Sequence, residues 1–185
     1  MIIMLLALNL SLTAQDVTVD EIIDTYIEVT GGQEAWSALK GVKMTATVNQ
    51  GGMEIPLEIV QLSDGRTYTK ASVQGMTIMQ NVYDGTVVWN TNFMNMKAEK
   101  ADEETLYNVE MQAKDFPEAL FNYKDKGYTA ELMGMEEIEG TEAYKVKLTK
   151  KPMKIDGEMV DNVTYYYFDT ENMVLIAAEN EIKQG

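Results

Sequence analysis

The chain has 185 residues, of which 45% are hydrophobic and 24% charged, and its formal net charge is −15. This composition is typical of one globular domain, and the acidic charge disfavours a nucleic-acid partner, whose phosphates require clustered Lys and Arg. The chain contains no Cys and no His, which excludes thiol catalysis, Ser-His-Asp triads, disulfides and zinc sites of the Cys/His kind.

Residues 1–14, MIIMLLALNLSLTA, form an apolar and uncharged segment at the start of the chain. The segment is too short to span a bilayer and has the length of a signal-peptide core. We predict cleavage after Ala14, which leaves a secreted single domain over residues 16–185. No basic residue precedes the apolar run and Leu12 occupies the position three before the cleavage site, so a buried N-terminal segment is the alternative.

The first element after this segment is predicted to be an amphipathic helix. Thr18 and Glu21 have the spacing of a capping box, and an apolar stripe follows at helical spacing. Gly31-Gly32 is predicted to end the helix. A short helical turn, QEAWSAL, is predicted next. The apolar stripe consists of Val19, Ile22, Ile23, Tyr26 and Ile27.

From Val42 the apolar residues recur every second position, which predicts β-strands joined by tight turns in an antiparallel meander. Pro56 lacks an N–H donor, so its strand is predicted to be an edge strand or to be bulged there. Asp84-Gly85 predicts a hairpin turn that leads into a strand through Val87 and Trp89. Counting in twos places four residues of the preceding strand on one side: Met76, Ile78, Gln80 and Val82.

Residues 94–124 interrupt the strand pattern. The segment KADEETLYNVEMQAK predicts a helix with acidic residues in its first turn, and DFPEALFNY predicts a second short helix whose buried pair is Leu120 and Phe121. Alternating strands then resume and continue to residue 182. Because the chain stops directly after a strand, we expect the sheet to be truncated at its C-terminus.

Sites for catalysis or metal binding are not apparent in the sequence. Adjacent carboxylates point apart on a strand or helix, the segment KIDGEMVDN does not match a calcium loop, and the glycines are turn glycines. We therefore predict no catalytic residue, no metal site and no cofactor.

The fourteen methionines require an explanation, because Val and Ile would give the strands a firmer core. Methionine fills gaps in packed cores, so an ordinary core is one interpretation. The other is an apolar cavity between a curved sheet and a helical lid, where flexible methionines re-pack around variable acyl chains. Gln80 is predicted either to bond with backbone inside the sheet or to contact a lipid headgroup.

Several segments, taken in order, resemble the outer-membrane lipoprotein-sorting proteins, the periplasmic lipoprotein carriers of the LolA type. The resemblance is carried by VDEIIDTYIEVTGGQEAWSALKGVKMTATV, QGMTIMQNVYDGTVVWNTNF, DFPEALFNYKDKGY and EGTEAYKVKLT. Its most specific part is the hairpin from Tyr83-Asp84-Gly85 to Trp89. The chain departs from the family in having Phe93 after Asn92, where relatives usually have proline, and in lacking the last strands.

The resemblance implies an α+β, mainly β fold: an open, curved antiparallel half-barrel with a LolA/LolB-like arrangement, whose concave face is covered by an N-terminal helix and a helical insertion. It implies a monomeric periplasmic carrier that binds lipoprotein acyl chains and sorts them to the outer membrane. An inner-membrane release complex and an outer-membrane acceptor are the implied partners, and no catalysis is implied.

The predicted site therefore has three parts. Gln80 and Arg66 form a polar rim. The alternative to the carrier function is a secreted β-rich interaction module with a packed core and no lipid cargo. The predicted lid residues are Ile23, Tyr26, Ile27, Leu106, Val109, Leu120 and Phe121. The predicted lipid-cavity residues are Met44, Ala46, Ile55, Leu57, Ile59, Met76, Ile78, Val82, Val87 and Trp89.

Overall fold

A computed structural model describes residues 17–182 of the chain. The predicted signal peptide, residues 1–14, lies outside the described residues. The helices are α1 (Val19–Val29), α2 (Gly32–Ala38) and α3 (Glu103–Ala113). The strands are β1 (Gly41–Gln50), β2 (Met53–Leu62), β3 (Thr67–Val73), β4 (Met76–Tyr83), β5 (Val88–Thr91), β6 (Ala98–Lys100), β7 (Thr129–Ile138), β8 (Thr141–Thr149), β9 (Met153–Ile155), β10 (Glu158–Val160), β11 (Asn162–Asp169) and β12 (Leu175–Ile182).

Helix α1 begins at the capping box that the sequence predicts. The Glu21 amide donates to Oγ1 of Thr18 over 3.2 Å, and the Thr18 amide donates to Oε2 of Glu21 over 2.8 Å. These two bonds satisfy donors that a helix start otherwise leaves without a partner. The cap fixes the helix start and so turns the apolar stripe of α1 toward the core.

The N-terminal sheet is a six-stranded meander in the order β1-β2-β3-β4-β5-β6, with every neighbouring pair antiparallel. The prediction that the strand of Pro56 is an edge strand is wrong, because β2 lies between β1 and β3. Pro56 pairs with Thr47 of β1, whereas the ladder to β3 starts at Leu57. The Pro56 ring therefore lies just before the ladder to β3 begins, where no β3 residue pairs with it.

Residues 114–128 form a series of turns beneath the C-terminal sheet. The predicted second helix over DFPEALFNY is absent, and Asn122 adopts a φ of 53°, which no helical residue has. Leu120 and Phe121 are nevertheless buried there, as predicted. The apolar residues of this segment thus anchor it to the core although the segment is not helical.

The hydrophobic core lies between α1, the 114–128 segment and the C-terminal sheet, whose order is β12-β11-β8-β7. The side chains of Leu120, Val146, Leu148 and Phe168 are completely buried. Rings of α1, α2 and β11 also meet here, since Tyr26 lies 5.3 Å from Phe168 and 6.1 Å from Trp36 between centroids. Contacts of this kind add to the stabilisation from burial.

The architecture confirms the predicted fold class: the chain is mainly β, with open antiparallel sheets and helices packed on them. The described strands are divided between two sheets and the two-stranded hairpin β9–β10, rather than joined in one half-barrel. Among the described helices, none has the length and apolar character needed to cross a bilayer.

Candidate functional site

One face of the N-terminal sheet is lined by apolar side chains over four strands. The ladder places Met44 opposite Ile59, and Leu57 opposite both Ala46 and Ala71. Residues that face each other across a ladder point to the same side of a sheet, so these side chains form one surface. We call this surface the apolar face, and it consists of Met44, Ala46, Val48, Ile55, Leu57, Ile59, Ala71, Val73, Met76 and Ile78.

The apolar face is exposed on β1 and at Met76 and is half-buried over most of β2 and β3. Met44 and Met76 are each 45% exposed and Val48 is 44% exposed, whereas Ile78, near the middle strands, is buried. The core cluster takes its buried residues from α1, segment 119–128, β8 and β11, and none of them from β1–β6. Within the described residues, the packed core and the apolar face are therefore separate surfaces.

A bulge in β4 divides the predicted cavity residues between the two faces of the sheet. Thr69 pairs with Gln80 but Thr67 pairs with Tyr83, so the β4 strand contains one extra residue here, and Asn81 adopts a φ of 51°. The extra residue reverses the alternation that the sequence count assumes. Placing Val82 on the side of Ile78 is therefore wrong.

The reversal continues into β5. Trp89 pairs with Val82 and lies with it on the opposite face of the sheet, which we call the outer face. Val87 precedes the strand at the hairpin turn and is half-buried. The prediction by alternation named Val87 and Trp89 and left out Val88. Val88 pairs with Tyr83 on the side of the apolar face and is 1% exposed. A bulge of one residue has no clear sequence signal, so only the ladder reveals it.

Gln80 bonds within the sheet, at the place where the bulge separates β4 from β5. Its amide nitrogen donates to the carbonyl oxygen of Thr91 over 3.1 Å. The Met79 amide donates to Oγ1 of Thr91 over 2.9 Å, and the Asn81 amide donates to Oδ1 of Asn90 over 2.6 Å. Side chains thus replace the missing backbone ladder, which accounts for a glutamine at the edge of the apolar face.

The outer face carries an apolar groove of about 310 Å³ near the turn at residues 63–66. Its apolar lining comes from Val60, Leu62 and Val82. Arg66, predicted as a rim residue, lines this groove, and its guanidinium lies 2.8 Å from Oδ2 of Asp64. The arginine is therefore on the side of the sheet away from Ile78 and Met76.

The predicted lid residues fall into two groups. Ile23, Tyr26, Ile27, Leu120 and Phe121 are buried in the core beneath the C-terminal sheet. Leu106 and Val109 belong to α3, where Val109 is 3% exposed. Helix α3 contacts β5 of the N-terminal sheet, the strand of Val88. Burial and, after it, the nearby Glu110 raise the Tyr83 pKa.

Helix α3 is held to the β9–β10 hairpin by side-chain bonds to hairpin backbone. Nδ2 of Asn108 donates to the Lys154 carbonyl over 2.7 Å, and Oδ1 of Asn108 accepts from the Lys154 backbone amide over 2.8 Å. The Glu104 carboxylate accepts from the amides of Asp156 and Gly157. The helix and the hairpin therefore form one unit at the end of the apolar face.

A buried carboxylate oxygen lies beside the core, next to Tyr26 and Tyr166. Oε2 of Glu118 is buried and has no hydrogen-bond partner among the described residues. Burial raises the pKa of Glu118, and the Leu120 amide and the Lys126 charge oppose this shift. The Lys126 ammonium itself donates to the carbonyl oxygens of Asp115 and Glu118. No group of three acidic residues in the described part of the chain is placed to hold a metal ion.

Several solved structures are weakly similar to this chain, among them the following three. The lipoprotein LppX of Mycobacterium tuberculosis is 12% identical, with 87% of this chain and 86% of that chain covered and a TM-score of 0.37. A DUF1329 family protein of Desulfovibrio piger is 11% identical over 90% and 74% of the two chains, with a TM-score of 0.41. LprF of Mycobacterium bovis is 12% identical over 90% and 89%, with a TM-score of 0.39. No protein-family model and no curated protein matches the sequence.

Proposed function

We propose that the chain is a carrier that binds acyl chains of lipids or lipoproteins on the apolar face. The observation that carries this proposal is a surface of apolar side chains that are paired across four strands. Its members Met44, Val48 and Met76 remain 44–45% exposed. A sheet usually buries one face against a core, and a large exposed apolar surface marks a binding site.

The chemistry of the apolar face suits an acyl chain. Transferring each CH₂ group from water to an apolar surface is worth about 0.8 kcal/mol, so a carrier needs continuous apolar area rather than a specific contact. Met44 and Met76 stand at opposite sides of the face, and their flexible side chains adapt to chains of different length. The ten residues of the face include no titratable side chain, and we propose that the protein is not an enzyme.

The finer assignment comes from the resemblance of the segment order to the LolA-type carriers. On that basis we propose that the protein acts in the periplasm after removal of a signal peptide. It would receive lipoproteins from an inner-membrane release complex and deliver them to an outer-membrane acceptor. The rival proposal is a secreted interaction module without lipid cargo.

The proposal is tested by native mass spectrometry of protein purified from the periplasm and by titration with a fluorescent fatty acid. Met44→Gln with Met76→Gln makes the apolar face polar, and we expect about tenfold weaker binding. Thr45→Gln with Thr77→Gln is the matched control, because these exposed neighbours point to the outer face. Protein without bound lipid and without saturable titration, or equal losses in both variants, would support the interaction module instead.

A further inference from the structure

The N-terminal sheet has two ends that differ in chemistry. Because the strands alternate in direction, the turn at residues 51–52, the turn at residues 74–75 and the loop at residues 92–97 lie at the same end. We call this the distal end. The turns at residues 63–66 and 84–87 and the connection to α3 lie at the other end.

The distal end is free of charge over long stretches of sequence, although the chain carries a net charge of −15. No Asp, Glu, Lys or Arg occurs in residues 46–53, 71–81 or 85–96. The opposite end contains Asp64, Arg66, Asp84, Asp102 and Glu103. The charged residues next to this end are Lys97 and Glu99, whose charges are opposite, and Glu54 after the first turn. The distal end is therefore close to neutral on a strongly acidic protein.

The distal end also exposes large apolar side chains. Met94 is 97% exposed and Phe93 is 67% exposed at the tip of the loop between β5 and β6. Exposing apolar side chains to water is unfavourable, because no packing compensates for it. A cluster of such side chains therefore marks an interaction surface. The other exposed apolar side chains at this end are Val48, Met53, Met76 and Met96.

The loop that carries Phe93 and Met94 is fixed by bonds among its own residues. Oδ1 of Asn92 accepts from the Met94 amide over 2.7 Å, and the Asn92 amide donates to the Lys97 carbonyl over 2.8 Å. The side-chain amides of Asn92 and Asn95 donate to the Glu99 carboxylate. The apolar tip is thus held in place, and these backbone donors already have partners.

We propose that the distal end docks on the surface of an uncharged lipid bilayer, with Phe93 and Met94 inserted at the interface. A neutral surface suits zwitterionic headgroups, and an acidic protein would be repelled by anionic ones. Insertion is compatible with the loop, because the amides of Met94, Met96 and Lys97 already have partners and need no water. Phenylalanine is typical of interfacial anchors. Phe93 and Met94 border a groove of about 370 Å³ that also contains Glu99 and Lys100. The two apolar side chains themselves protrude, 67% and 97% exposed, so they are the part of this end that can enter a bilayer.

This inference rests on the proposed carrier function in one respect: docking at the distal end would bring the apolar face to the bilayer edge. Val48 and Met76 belong to the apolar face and also lie at the distal end. An acyl chain leaving the bilayer would therefore meet the apolar face without crossing the charged end of the sheet.

The test is flotation of the full chain with vesicles of phosphatidylcholine alone. We expect Phe93→Ser with Met94→Ser to lower the bound fraction about tenfold or more, because two apolar anchors are lost. Met133→Ser with Met135→Ser is the matched control, since those residues are 52% and 63% exposed on β7 of the other sheet. Adding phosphatidylglycerol to the vesicles should weaken binding of the wild type.

A second readout is the fluorescence of Phe93→Trp, which should shift to the blue on addition of vesicles, whereas Met135→Trp should not. Absence of wild-type binding to neutral vesicles, or equal losses in the tip and control variants, would overturn the docking proposal. The fatty-acid titration separates the two proposals: the tip variant should still bind the soluble probe. Vesicle binding without probe binding would contradict the carrier function and leave the docking surface in place.

Discussion

Glu118 is a single residue with a measurable effect on stability. Burial raises its pKa, so the folded chain holds a proton there at pH values where the unfolded chain has released it. The charged form destabilises the fold, and the Glu118 contribution to stability therefore falls as pH rises above about 4.3, the ordinary value of Glu. Tyr26 and Tyr166 lie beside the carboxyl, and burial raises the pKa of Tyr26 to about 12, so the Tyr26 ring stays neutral. The Tyr26 hydroxyl opposes the rise of the Glu118 pKa by its hydrogen bond, but burial is the larger effect.

We expect Glu118→Gln to gain stability relative to the wild type as pH rises from about 4 to 7, by urea unfolding at several pH values. The difference in the free energy of unfolding between the two proteins reports Glu118 alone, because both proteins share the other carboxylates. Those carboxylates lose their own contribution to stability in acid. Glu171→Gln, in an exposed turn, is the control and should follow the wild type. A constant difference between Glu118→Gln and the wild type over this pH range would show that the carboxyl is not desolvated.

Asn81 shows how one residue decides the composition of a site. The alternation in twos is correct from Met76 to Gln80, and the bulge then moves Val82 and Trp89 to the outer face. The sequence contains no residue type that requires a bulge, because Asn is equally typical of turns. The bulge is stabilised by Asn90 and Thr91, whose proximity depends on the chain reversal at residues 84–87.

At the scale of elements, the start of α1 depends on Thr18. Thr18→Ala removes the acceptor of the Glu21 amide, and we expect a loss of about 1 kcal/mol in the free energy of unfolding. Thr18→Ser keeps the hydroxyl and should retain most of this stability. Thermal or urea unfolding measures both variants, and equal destabilisation by Ala and Ser would contradict a capping role.

The connection between α3 and the β9–β10 hairpin depends on Asn108. Asn108→Ala leaves the amide and carbonyl of Lys154 without their partner, which we expect to cost about 1–3 kcal/mol. Hydrogen exchange at residues 153–160 should accelerate, while exchange in β8 stays unchanged. Gln112→Ala, an exposed position on the same helix, is the control and should leave the hairpin unaffected.

The predicted helix DFPEALFNY, residues 115–123, illustrates why an element can be mispredicted although its core residues are predicted correctly. Leu120 and Phe121 are buried, as their apolar character indicates. The turns around them are fixed by side chains that lie 8 to 13 residues away: the Lys126 ammonium donates to the carbonyls of Asp115 and Glu118, and the Tyr128 hydroxyl donates to Asp115 over 2.7 Å. Local helix propensity is a weak preference that such bonds override.

At the scale of the whole molecule, stability should be uneven. The C-terminal sheet contains the completely buried residues Val146, Leu148 and Phe168, whereas β1 is exposed along most of its length. We expect amides of β8 and β11 to exchange slowest and those of β1 to exchange fast. A bound fatty acid should slow exchange in β1–β4 and leave β8 unchanged. Equal protection of both sheets without lipid would contradict this division.

The sequence by itself determined the capped N-terminal helix, most strand positions, the acidic start of α3 and the exclusion of thiol and histidine chemistry. These features depend on neighbours within about ten residues, where hydrophobic periodicity and capping decide the structure. Only the tertiary structure decided that α1 packs against the C-terminal sheet and leaves the apolar face open. The same holds for the bulge at Asn81 and for the neutral distal end, because both depend on which strands pair and on which turns lie side by side.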